Sequence, residues 1–148
     1  NLYRANIGQV LPGQTPFEGT IRENIVFDKK DYSTKQLNKI LHLLGLIDFI
    51  KKQSNGIHTV IHPEGQKIPF TISKRILLAR AIMHEPRLLI LKDPLEHFED
   101  HEAQTIVKYL TDEKRNWALI VSSNNPVWKQ NCNRTVSLKN GTIIRKNL

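Results

Sequence analysis

Apolar positions along this chain follow two different periods, and the switches between them predict its elements. Leu37, Ile40, Leu41 and Leu44 recur at three- and four-residue spacing behind Ser33. That spacing predicts an amphipathic helix capped by Ser33 and ended by Gly45. A second short helical segment is expected over Leu46–Lys52, before Ser54-Asn55-Gly56 turns the chain. Residues 57–71 carry Pro63 and Pro69 and are expected to be irregular. Ile76, Leu77, Ala79, Arg80, Ala81 and Ile82 lie on a helix expected from about Ile72 to His84. Pro86 forbids its continuation, because proline lacks the N–H and clashes with the preceding turn.

A different period follows. Leu88 to Leu91 is an unbroken apolar run, the pattern of a parallel strand buried on both faces. A helix over about Asp100–Thr111 and a strand over 117–122 come next, then a short helix around Pro126–Gln130. The chain closes on a hairpin over about Arg134–Ile144, turning at Asn140-Gly141, since Asn-Gly favours the turn that matches strand twist. With a further strand near 5–10 and a Pro/Gly loop over Leu11–Gly19, strands alternate with helices. The expected class is therefore an α/β layered fold with a mostly parallel sheet.

Composition narrows the function little. The 148 residues carry a net charge of +8, but Lys and Arg are scattered, with doublets only at Lys29-Lys30 and Lys51-Lys52. No basic stripe interleaves with aromatics, so no nucleic-acid partner is expected. The single Cys132 excludes an internal disulfide and a cysteine zinc cluster. No apolar run approaches the ~20 residues of a membrane-spanning helix.

The order of motifs is more informative. Phe17-Glu18-Gly19-Thr20-Ile21-Arg22-Glu23-Asn24-Ile25 follows the first strand. The stretch Ile68-Pro69-Phe70-Thr71-Ile72 precedes the helix carrying Arg75 and Ala79-Arg80-Ala81, and Leu88-Leu89-Ile90-Leu91-Lys92-Asp93-Pro94 follows it. Together with Trp117–Ser123 and the terminal hairpin, these segments resemble, in order, the nucleotide-binding domain of exporter-type ABC transporters. The resemblance implies a partial P-loop NTPase-like layered fold with a helical subdomain. Residues 1–148 are expected to form one partial nucleotide-binding domain. About 11–84 would be the helical subdomain with its glutamine-loop and signature regions, and about 85–148 core strands and helices. The family's phosphate loop, G-x-x-x-x-G-K-[ST], is expected upstream of Asn1 in a longer polypeptide.

What the resemblance implies about chemistry is altered at each motif. The family's signature loop reads L-S-G-G-Q, and its glycines let the backbone approach a phosphate. Here Pro69, Phe70, Thr71 and Ile72 stand for Ser, Gly, Gly and Gln, with Thr71 or Ser73 left to cap the helix and contact nucleotide. At the strand end the family's metal-ordering Asp is Lys92, and its water-polarising Glu is Asp93, the remaining candidate base. Lys92 either replaces part of a cation's charge or pairs with a local carboxylate such as Asp93 or Glu96. The family glutamine falls at Pro12, and a small loop shift would restore it through Gln14. The histidine switch falls at Ser123. Glu99 stands for the family's dimer-contacting D-loop Asp. His97 and His101 share a helical spacing beside Glu102, but no third ligand accompanies them and no metal site is expected. Arg80 is expected to hold a salt bridge or a helix end rather than ligand.

The resemblance implies ATP as ligand, with Mg²⁺, and a second nucleotide-binding domain and a transmembrane domain as partners. It implies a location on the cytoplasmic face of the cell membrane. Two functions stay open on the sequence: an exporter's ATP-binding domain with weak hydrolysis, and an inactive scaffold that dimerises with an active subunit.

Overall fold

In the computed structural model of the chain, residues 6–62 and 68–147 are described. The expected irregular stretch 57–71 therefore lies partly outside the described residues, as does the start of the strand expected near 5–10. The central layer is a parallel sheet of β1 (Ile7–Val10), β4 (Leu88–Lys92) and β5 (Ala118–Ser122), in the order β1-β4-β5. Val10 registers with Leu91, and Lys92 with Ser122, so the carboxyl ends of the strands come together. Two small antiparallel sheets stand apart from it: β2 (Gly19–Thr20) with β3 (Val60–Ile61), and the hairpin β6 (Thr135–Lys139) with β7 (Thr142–Asn147). Asn140 and Gly141 both take positive φ in the hairpin turn, the backbone the Asn-Gly pair favours.

The centre of the fold is α4 (Phe70–Met83), in which Ile76, Leu78, Ala79, Ile82 and Met83 are almost completely buried. A helix apolar on nearly every face needs neighbours all round it. It has them in α1 (Ile21–Val26), α2 (Thr34–Leu43) and β1. Gly8 permits the close approach of β1, because a Cβ there would lie 2.6 Å from the Ala81 carbonyl oxygen. The amphipathic α2 buries Leu37, Ile40 and Leu41, with the Ser33 hydroxyl accepting from the Gln36 N–H at 3.0 Å. Between it and β3 lies the short α3 (Ile47–Lys51). On the other side, α5 (Asp100–Leu110) buries Ala103, Ile106, Val107 and Leu110, and α6 (Val127–Asn131) packs on it through the buried Trp128.

Three expectations are corrected. The central helix begins at Phe70, two residues before Ile72, and its cap is Pro69 without a side-chain bond. Thr71 and Ser73 consequently lie inside the first turn and do not cap it. Proline at that position already carries the extended backbone (ψ 142) from which a helix can start. The stretch after residue 57 is not wholly irregular, since Val60 and Ile61 pair with Thr20 and Gly19. Finally, β4 is fully buried on one face only. Leu89 and Leu91 are sealed, whereas Leu88 and Ile90 are half-covered and β5 is the sheet's edge, leaving Ile120 57% exposed.

Candidate functional site

The carboxyl end of a parallel sheet is where ligands of open α/β folds bind, because strand ends and following loops converge there. Three of the sequence candidates meet at that end. Lys92 is the last residue of β4, Asp93 follows it with φ +43, and Ser123 follows the last residue of β5. The Asp93 N–H donates to the Ser122 carbonyl at 2.9 Å, which fixes the turn. Its carboxylate pairs with the Lys92 ammonium, with Ser123 and Asn124 beside it. The Lys92 ammonium above all holds the Asp93 carboxyl below the usual range; burial opposes it, and Ser123 adds a lesser lowering effect. The Ser123 oxygen also accepts from the Asn125 N–H at 3.2 Å. Of the carboxylates named for Lys92, the structure selects Asp93.

The other candidates are elsewhere. Gln14 turns back on its own loop, its Oε1 accepting from the Leu11 N–H at 2.9 Å. Thr71 and Ser73 sit in the first turn of α4, and among the described residues no hydrogen bond or ion pair joins them to Lys92, Asp93 or Ser123. That turn is covered instead by Phe70, whose ring meets His97 edge-on at 5.4 Å and lies under the Lys74 ammonium at 5.0 Å. Phe70 is 58% exposed, so its bulk projects from the helix start where a glycine would leave backbone open. His97 and His101 are both exposed, and Glu102 beside them is already engaged.

That engagement is the feature the sequence did not announce. Arg75 donates to both Glu102 oxygens at 2.8 and 2.7 Å and to the Leu44 carbonyl at 2.7 Å, while its guanidinium stacks 4.2 Å from the Phe98 ring centre. One side chain thereby ties the end of α2, the start of α4, the 93–99 loop and α5. Arg75 holds the Glu102 carboxyl below the usual range. A second knot forms at Asn24, which is fully buried and accepts from the Arg80 guanidinium at 2.6 Å. Arg80 Nε also donates to the Asn24 carbonyl at 2.6 Å, so it serves a helix end as expected, with no acidic partner among the described residues. Thr20 and Glu23 close a reciprocal capping box on the same helix, readable from the T-x-x-E spacing.

This architecture, a parallel sheet with a helical flank and a polar cluster at its strand ends, is that of a nucleotide-binding α/β domain. It superposes on the structure of a bacterial Atm1-family ABC exporter with ATP bound at TM-score 0.83 and 19% identity, over 97% of this chain and 25% of that one. The sequence matches an uncharacterised ABC transporter ATP-binding protein of Bacillus subtilis, YfiC, at 31% identity over 97% of the chain and 24% of that protein. It matches the rat antigen peptide transporter 2 at 28% over 91% of the chain and 19% of that protein. No protein-family model matches. The chain belongs to the ATP-binding domain family of exporter-type ABC transporters, and it spans about a fifth to a quarter of the length of these relatives.

Proposed function

We propose that this chain forms part of an exporter's ATP-binding domain whose own half-site binds ATP but hydrolyses it weakly or not at all. The observation that carries the reading is the Lys92–Asp93 pair at the end of β4. A general base works best when its pKa lies near the operating pH. The only carboxylate at this position is held below the ordinary range by a neighbouring ammonium, which makes it a poorer proton acceptor. Asp93 is also one methylene shorter than the family's Glu.

In this reading a phosphate loop elsewhere in the full-length protein grips the nucleotide. A second nucleotide-binding domain closes over it, and a transmembrane domain receives the movement at the cytoplasmic face of the membrane. The scaffold alternative, in which the chain dimerises without binding nucleotide, is favoured only by Phe70, an exposed bulky side chain at a position where the family resemblance implies a glycine. ATP turnover by the purified full-length protein tests the proposal, with Asp93→Asn beside it. Turnover at background level, unchanged by the substitution, is expected. Vigorous hydrolysis abolished by Asp93→Asn would refute it.

A further inference from the structure

A divalent cation beside a nucleotide's phosphates needs a hard, anionic oxygen shell, usually with one or two protein carboxylates. The strand ends do not supply one. The position closest to the sheet's carboxyl end is an ammonium, Lys92, and the one carboxylate beside it is already paired with that ammonium. Ser123 and Asn124 beside it bring no anionic oxygen. Among the described residues no group of three His, Cys, Asp or Glu side chains could hold a metal ion. An incoming Mg²⁺ would have to separate Lys92 from Asp93 and then sit beside the displaced positive charge.

From this misfit, and resting on the proposed nucleotide site, we propose that the half-site binds nucleotide phosphates without a divalent cation, with the Lys92 ammonium supplying positive charge in its place. The geometry suits the exchange. Lys92 is 42% exposed and Asp93 35%, so their pair faces solvent and is weakly held. Rotation of a four-carbon stem brings the ammonium to a phosphate oxygen while one of its three donors still faces Asp93, without disturbing the backbone. The Lys is also a compact point charge with three donors, the form in which lysine ordinarily binds phosphate. A triphosphate carries more negative charge than its diphosphate product, so this device favours the unhydrolysed nucleotide.

The test is a titration of the full-length protein with N-methylanthraniloyl-ATP, in EDTA and in Mg²⁺, on wild type, Lys92→Gln and Lys92→Asp. Wild-type affinities within about twofold of each other in the two conditions are expected, with Lys92→Gln about tenfold weaker in EDTA. Lys92→Asp should gain at least tenfold from Mg²⁺, while circular dichroism confirms that both variants are folded. Wild-type binding that requires Mg²⁺, with Lys92→Gln unchanged in EDTA, overturns the inference and leaves the nucleotide site standing. Binding in neither condition removes both. If a variant does not fold, the wild-type comparison of the two conditions decides alone.

Discussion

Truncating Glu102 to alanine is the sharpest test of how this fold is held together. Arg75 and Glu102 keep only 12% and 22% of their side-chain exposure and exchange two short charge-assisted bonds. Breaking one side of a fully buried pair costs about 3–5 kcal/mol, and an exposed pair about 0–1 kcal/mol. This pair is nearer the buried limit but wetted on the Glu102 side, so the expected loss is about 2–3 kcal/mol. For a chain of this size that is a melting-point fall of about 5–10 °C. Arg75→Met should cost about 1 kcal/mol more, because it also removes the bond to the Leu44 carbonyl and the stack on Phe98. The assay is urea unfolding of the nucleotide-binding domain in full-length protein, read by Trp117 and Trp128 fluorescence, as a double-mutant cycle. A coupling energy of about 1.5–2 kcal/mol between the two positions is expected. The pH dependence adds a second reading. Arg75 lowers the folded-state pKa of Glu102, so the pair's stabilisation is present above the unfolded carboxyl value of about 4.3. It is lost as pH falls through the lower folded value. The gap between wild type and Glu102→Gln should therefore close below about pH 4. Additive single-site effects, or a gap that persists in acid, would refute the reasoning.

Two other perturbations follow from single contacts. Gly8→Ala places a Cβ 2.6 Å from the Ala81 backbone oxygen and 2.9 Å from Pro86. It should destabilise by about 1–3 kcal/mol or more, visible as a lower urea midpoint; an unchanged midpoint would mean that β1 and α4 are not so closely packed. His84 has a buried Nε2 with no hydrogen-bond partner among the described residues, and burial holds its pKa below the ordinary value. The unfolded state then binds the proton first, so stability should fall as pH drops through about 6.5 and level off below the folded value. His84→Gln should flatten that slope in a melting-temperature profile.

Much of the fold was legible because it obeys local rules. Ser33 caps α2 where the sequence places it, and Pro86 separates α4 from β4. Asn140-Gly141 turns the hairpin because both residues accept positive φ. The start of α4 is not legible in the same way, because a hydroxyl cap leaves a signal in the sequence whereas Pro69 begins the helix through its backbone alone. The half-coverage of β4 leaves no signal in the sequence, because an apolar run reports what a strand can bury, and not how much of it the neighbouring layers cover.

By itself, then, the sequence determined the element types, the α/β class and the family, since helix period, proline geometry and motif order are all properties of neighbouring residues. Tertiary structure alone decided which charges meet. Arg75 and Glu102 are 27 residues apart, and Arg80 and Asn24 are 56 apart, distances at which side chains leave no periodic signal of their pairing. It also selected Asp93 over Glu96 as the partner of Lys92, because the positive φ at Asp93 and its bond to Ser122 turn that carboxylate back toward the strand end. Local order fixes which side chains are present, and only the folding of distant segments fixes what each one touches.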